Sequence, residues 1–226
     1  MTSPLLFAAL LLVGPDEARP GPTDVGTAPL RVLCLDEVGP LPISVDDELR
    51  AIYEEGRSYR AFLDGARRRT EQWHGNSREA EAIDMDLVRR ARAVGGTWRF
   101  LAVAVDSCSD SVSTIPYLAQ LVSMVDGLDM RIVDSRVGRS IMESHRTPDG
   151  RPSTPTVLLL DQEWEEAGCF IERPPALQTW ILEEGFSNDQ IFANKMAWYE
   201  DDAGQSTVEA FVEMLEAASR GETICR

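Results

Sequence analysis

No two cysteines of this sequence lie near one another. Cys34, Cys108, Cys169 and Cys225 are scattered singly, so there is no C-x-x-C pair and the spacing supports no disulfide framework. Histidine is nearly absent too. With only His74 and His145, the short paired ligand spacings of a structural zinc site are missing, and no metal is expected. The chain has no G-x-G-x-x-G, P-loop or G-x-S-x-G motif, which removes the common phosphate cradles and the anchor of a hydrolase triad; no cofactor is expected. Positive charge is scarce as well. Lys and Arg number 22 against 38 Asp and Glu, and the formal net charge of -16 repels phosphate backbones, so nucleic acid is not an expected partner. The runs Arg67-Arg68-Arg69 and Arg89-Arg90 stand among acids on helical patterns and read as a solvated face.

Long apolar runs are lacking, and the longest, Leu5 to Val13, is far short of the roughly 20 residues of a membrane span. It has the length of a signal-peptide core. However, no Lys or Arg precedes it, Asp16-Glu17 follows, and no A-x-A site lies downstream, so the expectation is a cytoplasmic protein. Export through an atypical N-terminal signal is the alternative. Between residues 14 and 42 stand Pro15, Pro20, Pro22, Pro29, Pro40 and Pro42, which make an extended arm. The 226 residues therefore divide into an apolar run and arm (1–45), one domain (46–220) and a short tail (221–226) expected to be mobile.

Within the domain, Leu49, Ile52, Tyr53, Tyr59, Phe62 and Leu63 recur at helical spacing and predict one leading helix from Asp46 to Arg69. A polar stretch around Trp73 to Ser77 precedes a second helix, Glu79 to Val94, closed by Gly95-Gly96. Trp98 to Val105 is a continuous apolar run that suits a strand buried on both faces. A helix from Ser109 through Val125, a strand from Asp129 to Asp134, and a short helix near Val137 to His145 follow. Thr156 to Leu160 and Glu165 to Arg173 form a hairpin, Pro174-Pro175 opens a helix to Glu184, and Thr207 to Ala218 is the last helix. This order predicts an α/β fold, a mixed central sheet flanked by helices, with extra helices at the N-terminal side.

Cys108 falls where a buried strand ends and a helix begins, near unpaired backbone N–H groups that favour the nucleophilic thiolate. Asp106 and Asp110 oppose ionisation, and a lone cysteine is often only a small buried hydrophobe. Asp110 reads first as a helix cap and second as a proton relay. Ser111 reads as a cap as well. Cys169, alternating with Ala167 and Ile171, is expected in the core; Cys34, in LRVLCLDEV, reads as packing. Cys225 is taken as a bystander, or as a thiol able to resolve Cys108 from the tail. His145 reads as an exposed loop residue, and Trp164, Trp180 and Trp198 as core or rim.

The run Asp106 to Ser111, DSCSDS, resembles the D-W-C-G-D-S type active-site segment of a bacterial branch of thioredoxin-family proteins. Thr154-Pro155 before an apolar strand, Glu172-Arg173-Pro174 after the hairpin, and Tyr199 with Asp202 and Gly204 are similar too. The resemblance runs from about Leu49 to Ala217 and implies a thioredoxin-like fold. It places Cys108 at the attacking-cysteine position and Ser111 where dithiol members carry the resolving cysteine. Pro155 becomes a cis-proline facing the sulfur, with Thr154 offering backbone for strand-like pairing with a bound peptide. Ser107 and Ser109 depart from the tryptophan and glycine of the pattern. Two functions follow as expectations. One is monothiol exchange through Cys108 with a small thiol or with a thiol- or disulfide-bearing protein. The other is a redox-inactive module that binds an extended partner beside Pro155.

Overall fold

The structure, a computed structural model, describes residues 45–226; the apolar run, the proline-rich arm and Cys34 lie outside the described residues. The leading helical region is broken where one helix was predicted. Helix α1 (Val45–Glu55) stops at Gly56, where only a residue without Cβ fits against Arg131, since a Cβ would lie 2.6 Å from that of Arg131, and the backbone of Arg57 pairs with Ile132 at 2.9 Å in both directions. Helix α2 (Tyr59–Gly65) then starts on Ser58, whose hydroxyl accepts the Ala61 N–H. The polar stretch around Trp73 to Ser77, for which no element was predicted, is helix α3 (Thr70–Glu79), organised around the fully buried Trp73. A 3-10 turn at 80–82 and the cap Asp84 separate it from α4 (Met85–Val94).

The alternating part follows as β1 (Trp98–Val103), α5 (Ser109–Met124), β2 (Leu128–Val133), α6 (Arg139–Ser144), β3 (Thr156–Leu160) and β4 (Glu166–Ile171). After it come α7 (Pro175–Glu184), α8 (Asn188–Asp202), α9 (Gln205–Ser219) and β5 (Ile224–Cys225). The sheet order is β2-β1-β3-β4-β5, with β1 parallel to β2, β3 antiparallel to both β1 and β4, and β5 parallel to β4. Phe100, Ala102, Ile132, Val157, Leu159 and Phe170 pack in the larger core with residues of α3, α4, α5 and α9. Leu101, Val103, Val133, Leu158 and Leu160 pack in a second core with Leu49, Tyr53, Ile141 and Met142. Because β1 and β3 contribute to both cores, their sequences are apolar without alternation.

The C-terminal residues correct two expectations. Rather than a mobile tail, they form the edge strand β5, held by Ile171 N–H to Arg226 O and Arg226 N–H to Cys169 O, both 2.7 Å. A disulfide joins Cys169 to Cys225, so Cys225 is no resolving thiol for Cys108 while that bond stands. The spacing hid it because the partners are 56 residues apart and meet only through the sheet. The strand alternation is also interrupted. Leu159 pairs with Gly168 but Leu160 with Glu166, a bulge that turns Ala167 toward the larger core, away from Cys169 and Ile171.

Helix α5 carries an internal proline, Pro116, which cannot donate to the Val112 carbonyl four residues earlier. Asn76 of α3 supplies the missing donor, its Nδ2 lying 2.7 Å from Val112 O. Asn76→Ala is therefore expected to destabilise the protein by about 1–3 kcal/mol in urea unfolding, since it orphans a carbonyl on a buried helix. In a Pro116→Ala background the restored N–H takes over that carbonyl, and the same substitution is expected to cost clearly less. Equal costs in the two backgrounds would refute the compensation.

Candidate functional site

The loop from β1 to α5 is gripped by the N-terminal helices. Asp106 Oδ2 accepts the backbone N–H of Arg67 (2.7 Å) and Arg68 (3.0 Å), and Trp73 Nε1 donates to Asp106 O at 3.0 Å. Arg69 Nε donates to Ser107 O at 2.8 Å. Residues 67–69 are thus no helical face: they are the connection between α2 and α3, folded onto the loop that carries the cysteine. With Ser107 they line a cleft of about 410 Å³.

Cys108 itself is the N-cap of α5, with φ -78° and ψ 127°. Its Sγ accepts the Ser111 N–H at 3.4 Å and lies 3.0 Å from Thr154 O, to which the thiol donates. The Thr154–Pro155 peptide bond is cis. The structure thereby brings Cys108, Ser111, Thr154 and Pro155 together, although Ser111 contributes its backbone. Its hydroxyl is fully buried and has no hydrogen-bond partner among the described residues. The carbonyl of Pro155 accepts the N–H of Glu172 at 2.8 Å, which ties the proline to the end of β4.

Asp110 caps nothing. Its side chain is buried and meets Lys195 Nζ at 2.5 Å, Tyr199 OH at 3.1 Å and Arg173 Nε at 3.8 Å. Arg173 pairs in turn with Glu172 at 2.7 Å, and Glu172 with Arg151 at 3.4 Å. Burial first, and then the Asp110 charge beside it, hold the Tyr199 phenol well above its ordinary pKa, so it remains a donor to the carboxylate. Lys195 and Tyr199 both come from α8, a helix that the sequence reading passed over. Two signals marked it. Lys195 is the single lysine of the chain. Ser187 and Gln190 have capping-box spacing, and Ser187 N–H indeed donates to Gln190 Oε1 at 3.1 Å.

His145 is likewise not an exposed loop residue. It ends α6, with Nδ1 at 2.9 Å from Ile141 O and Nε2 at 3.0 Å from both oxygens of Glu166. Cys108 is the one free cysteine among the described residues.

A cysteine at a helix N-terminus stands opposite a cis-proline loop on a mixed sheet of thioredoxin-like order. The family model described as Thioredoxin matches residues 56–190, more than half of the chain, and the protein belongs to the thioredoxin family. Two solved structures share the fold. One is a protein of unknown function from Pseudomonas aeruginosa, with 20% identity, TM-score 0.55 and coverage of 74% of this chain and 96% of its own. The other is an HIV epitope scaffold, with 16% identity, TM-score 0.58 and coverage of 74% and 97%. No curated protein matches the sequence. No helix among the described residues is long and apolar enough to cross a membrane.

The Asp110 cluster generates a stability prediction. Lys195→Met leaves the buried carboxylate without its nearest cation and is expected to cost about 3–5 kcal/mol in urea unfolding. Adding Asp110→Asn should recover most of that loss. A double variant as unstable as Lys195→Met alone would show that Lys195 acts by packing and not by charge.

Proposed function

We propose that the protein carries out thiol–disulfide exchange as a monothiol through Cys108. The observation that carries this reading is the position of Sγ, which caps α5 on the Ser111 N–H and stands beside Thr154 O and the cis Pro155. The Ser111 N–H points at the sulfur and is in place to donate to it during the reaction. Loss of the thiol proton frees the Thr154 carbonyl, which then accepts an N–H from an extended partner. The thiolate attacks one sulfur of the partner's disulfide, that S–S bond breaks, and the second sulfur leaves as thiolate. With serine at 111 and Cys225 bonded to Cys169, no other free thiol stands among the described residues, and an external thiol attacks the mixed disulfide and returns Cys108 as thiolate.

The segment DSCSDS, with Asp110 held by two cations, supports placement in the bacterial branch carrying D-W-C-G-D-S type sites. In a chain of net charge -16, the Arg67–Arg69 cleft next to Ser107 favours thiol partners that carry carboxylates. The Cys169–Cys225 disulfide supports an oxidising compartment, and with it the export reading of Leu5 to Val13 over the cytoplasmic one.

The test is intact-mass analysis of the full chain after incubation with glutathione disulfide. In a Cys34→Ser background one glutathione per chain is expected, and none once Cys108→Ser is added. At low salt, glutathione disulfide should react faster than the cationic cystamine, and Arg67→Ser/Arg68→Ser should erase that preference. If Cys108 takes up no adduct while a cysteine-free extended peptide binds equally to the wild type and to Cys108→Ser, the protein is a binding module.

A further inference from the structure

On the sheet face away from α5, three side chains from two separate segments, the end of α6 and strand β4, converge. His145 Nε2, a carboxylate oxygen of Glu166 and Cys169 Sγ lie within 4.8 Å of one another. The bulge in β4 creates this juxtaposition. Regular alternation would send Glu166 and Cys169, three residues apart, to opposite faces, whereas the Leu160–Glu166 pairing puts both beside α6. The imidazole is pre-oriented as in a metal ligand. The Ile141 carbonyl can only accept, so Nδ1 carries a proton at 2.9 Å, and the other ring nitrogen is aimed at Glu166. Cys225 is bonded to Cys169, and the ladder between β4 and β5 holds the two residues adjacent through backbone hydrogen bonds as well as through the disulfide.

We propose that, once the Cys169–Cys225 disulfide is reduced, these two sulfurs with His145 Nε2 and Glu166 form a site for a zinc-like divalent cation. The donor set of two thiolates, one imidazole and one carboxylate suits zinc, whose tetrahedral ligands stand about 3.3–3.8 Å apart. The His145–Glu166 distance of 3.0 Å and the 4.8 Å limit for His145, Glu166 and Cys169 bracket that spacing for three of the four ligands, and the Cys225 sulfur swings away from that of Cys169 to become the fourth. The chemistry balances. A dithiol gives up two electrons and two protons and leaves as its own disulfide, and Cys169 and Cys225 become thiols. Metal binding then sends both thiol protons, and the proton that His145 Nε2 shares with Glu166, to solvent. Oxidant and metal therefore compete for the same pair of sulfurs. Each newly made chain begins with both of them reduced.

The experiment uses the full chain carrying Cys34→Ser and Cys108→Ser, so that neither of the other two cysteines can contribute. It is reduced with dithiothreitol, freed of reductant under argon and titrated with cobalt(II). One cobalt per chain is expected, with the intense visible bands of tetrahedral coordination and a thiolate-to-metal charge-transfer band, all displaced by zinc. The oxidised protein should show none of these. His145→Ala and Glu166→Gln should each weaken binding by about tenfold or more, with circular dichroism of each variant checking that the fold persists. Absence of tetrahedral cobalt in the reduced protein would overturn the proposal. So would binding that both variants leave unchanged, since the two sulfurs alone would then be the site.

Discussion

A carboxylate lies buried two residues past the cysteine, and its charge has to be answered inside the protein. Asp110 on the first turn of α5 draws Lys195 and Tyr199 from α8 and Arg173 from the end of β4. Without cations, the desolvation of that carboxylate would outweigh anything the helix start offers it. Much of the C-terminal half can be understood as arranged around this requirement. Helix α8 shares a small core with α7 through Leu177, Ile181 and Tyr199, so the pair that closes over the site is fastened by apolar contact and oriented by charge. Arg173 extends the constraint to Glu172, whose backbone holds the Pro155 carbonyl. One buried charge thus links the cysteine helix, the proline loop and α8.

The parts of the fold legible in the sequence were those whose burial leaves a periodic trace. Strands β1 and β3, covered on both faces, are unbroken apolar runs, and α5 and α9 repeat their apolar residues at helical spacing. Helix α3 left no such trace, because its packing is concentrated in the single residue Trp73 amid polar neighbours. Helix α8 spreads Ile191, Phe192, Met196, Trp198 and Tyr199 around its circumference, and Phe192 is exposed, so no stripe announces it. The site was half legible. Cys108 was singled out by its position between strand and helix, and Thr154 and Pro155 by the resemblance, whereas the partners of Asp110 lie 63 to 89 residues downstream, at distances along the chain that no local pattern spans.

The disulfide and the His145–Glu166 pair failed to show for a related reason. Both depend on strand register, which short segments do not specify. A one-residue bulge reverses the face of Ala167 and carries Glu166 to His145, and a two-residue edge strand brings Cys225 to Cys169. Side-chain period in a strand is two, so a single inserted residue changes every neighbour beyond it.

The Asn76 amide, which completes the hydrogen-bond ladder of α5 across the gap left by Pro116, makes an early segment part of a later helix. Together with the backbone of residues 67–68 on Asp106 and the Trp73 indole on the same loop, it means that the segment before β1 is structurally inseparable from the sheet domain. A chain cut to begin at β1 would keep every strand and the cysteine, yet it would lose the donors that shape the loop and helix presenting that cysteine. The smallest autonomous unit therefore starts upstream of α3. The proline in α5 thus makes the helix dependent on a side chain that stands forty residues earlier in the chain.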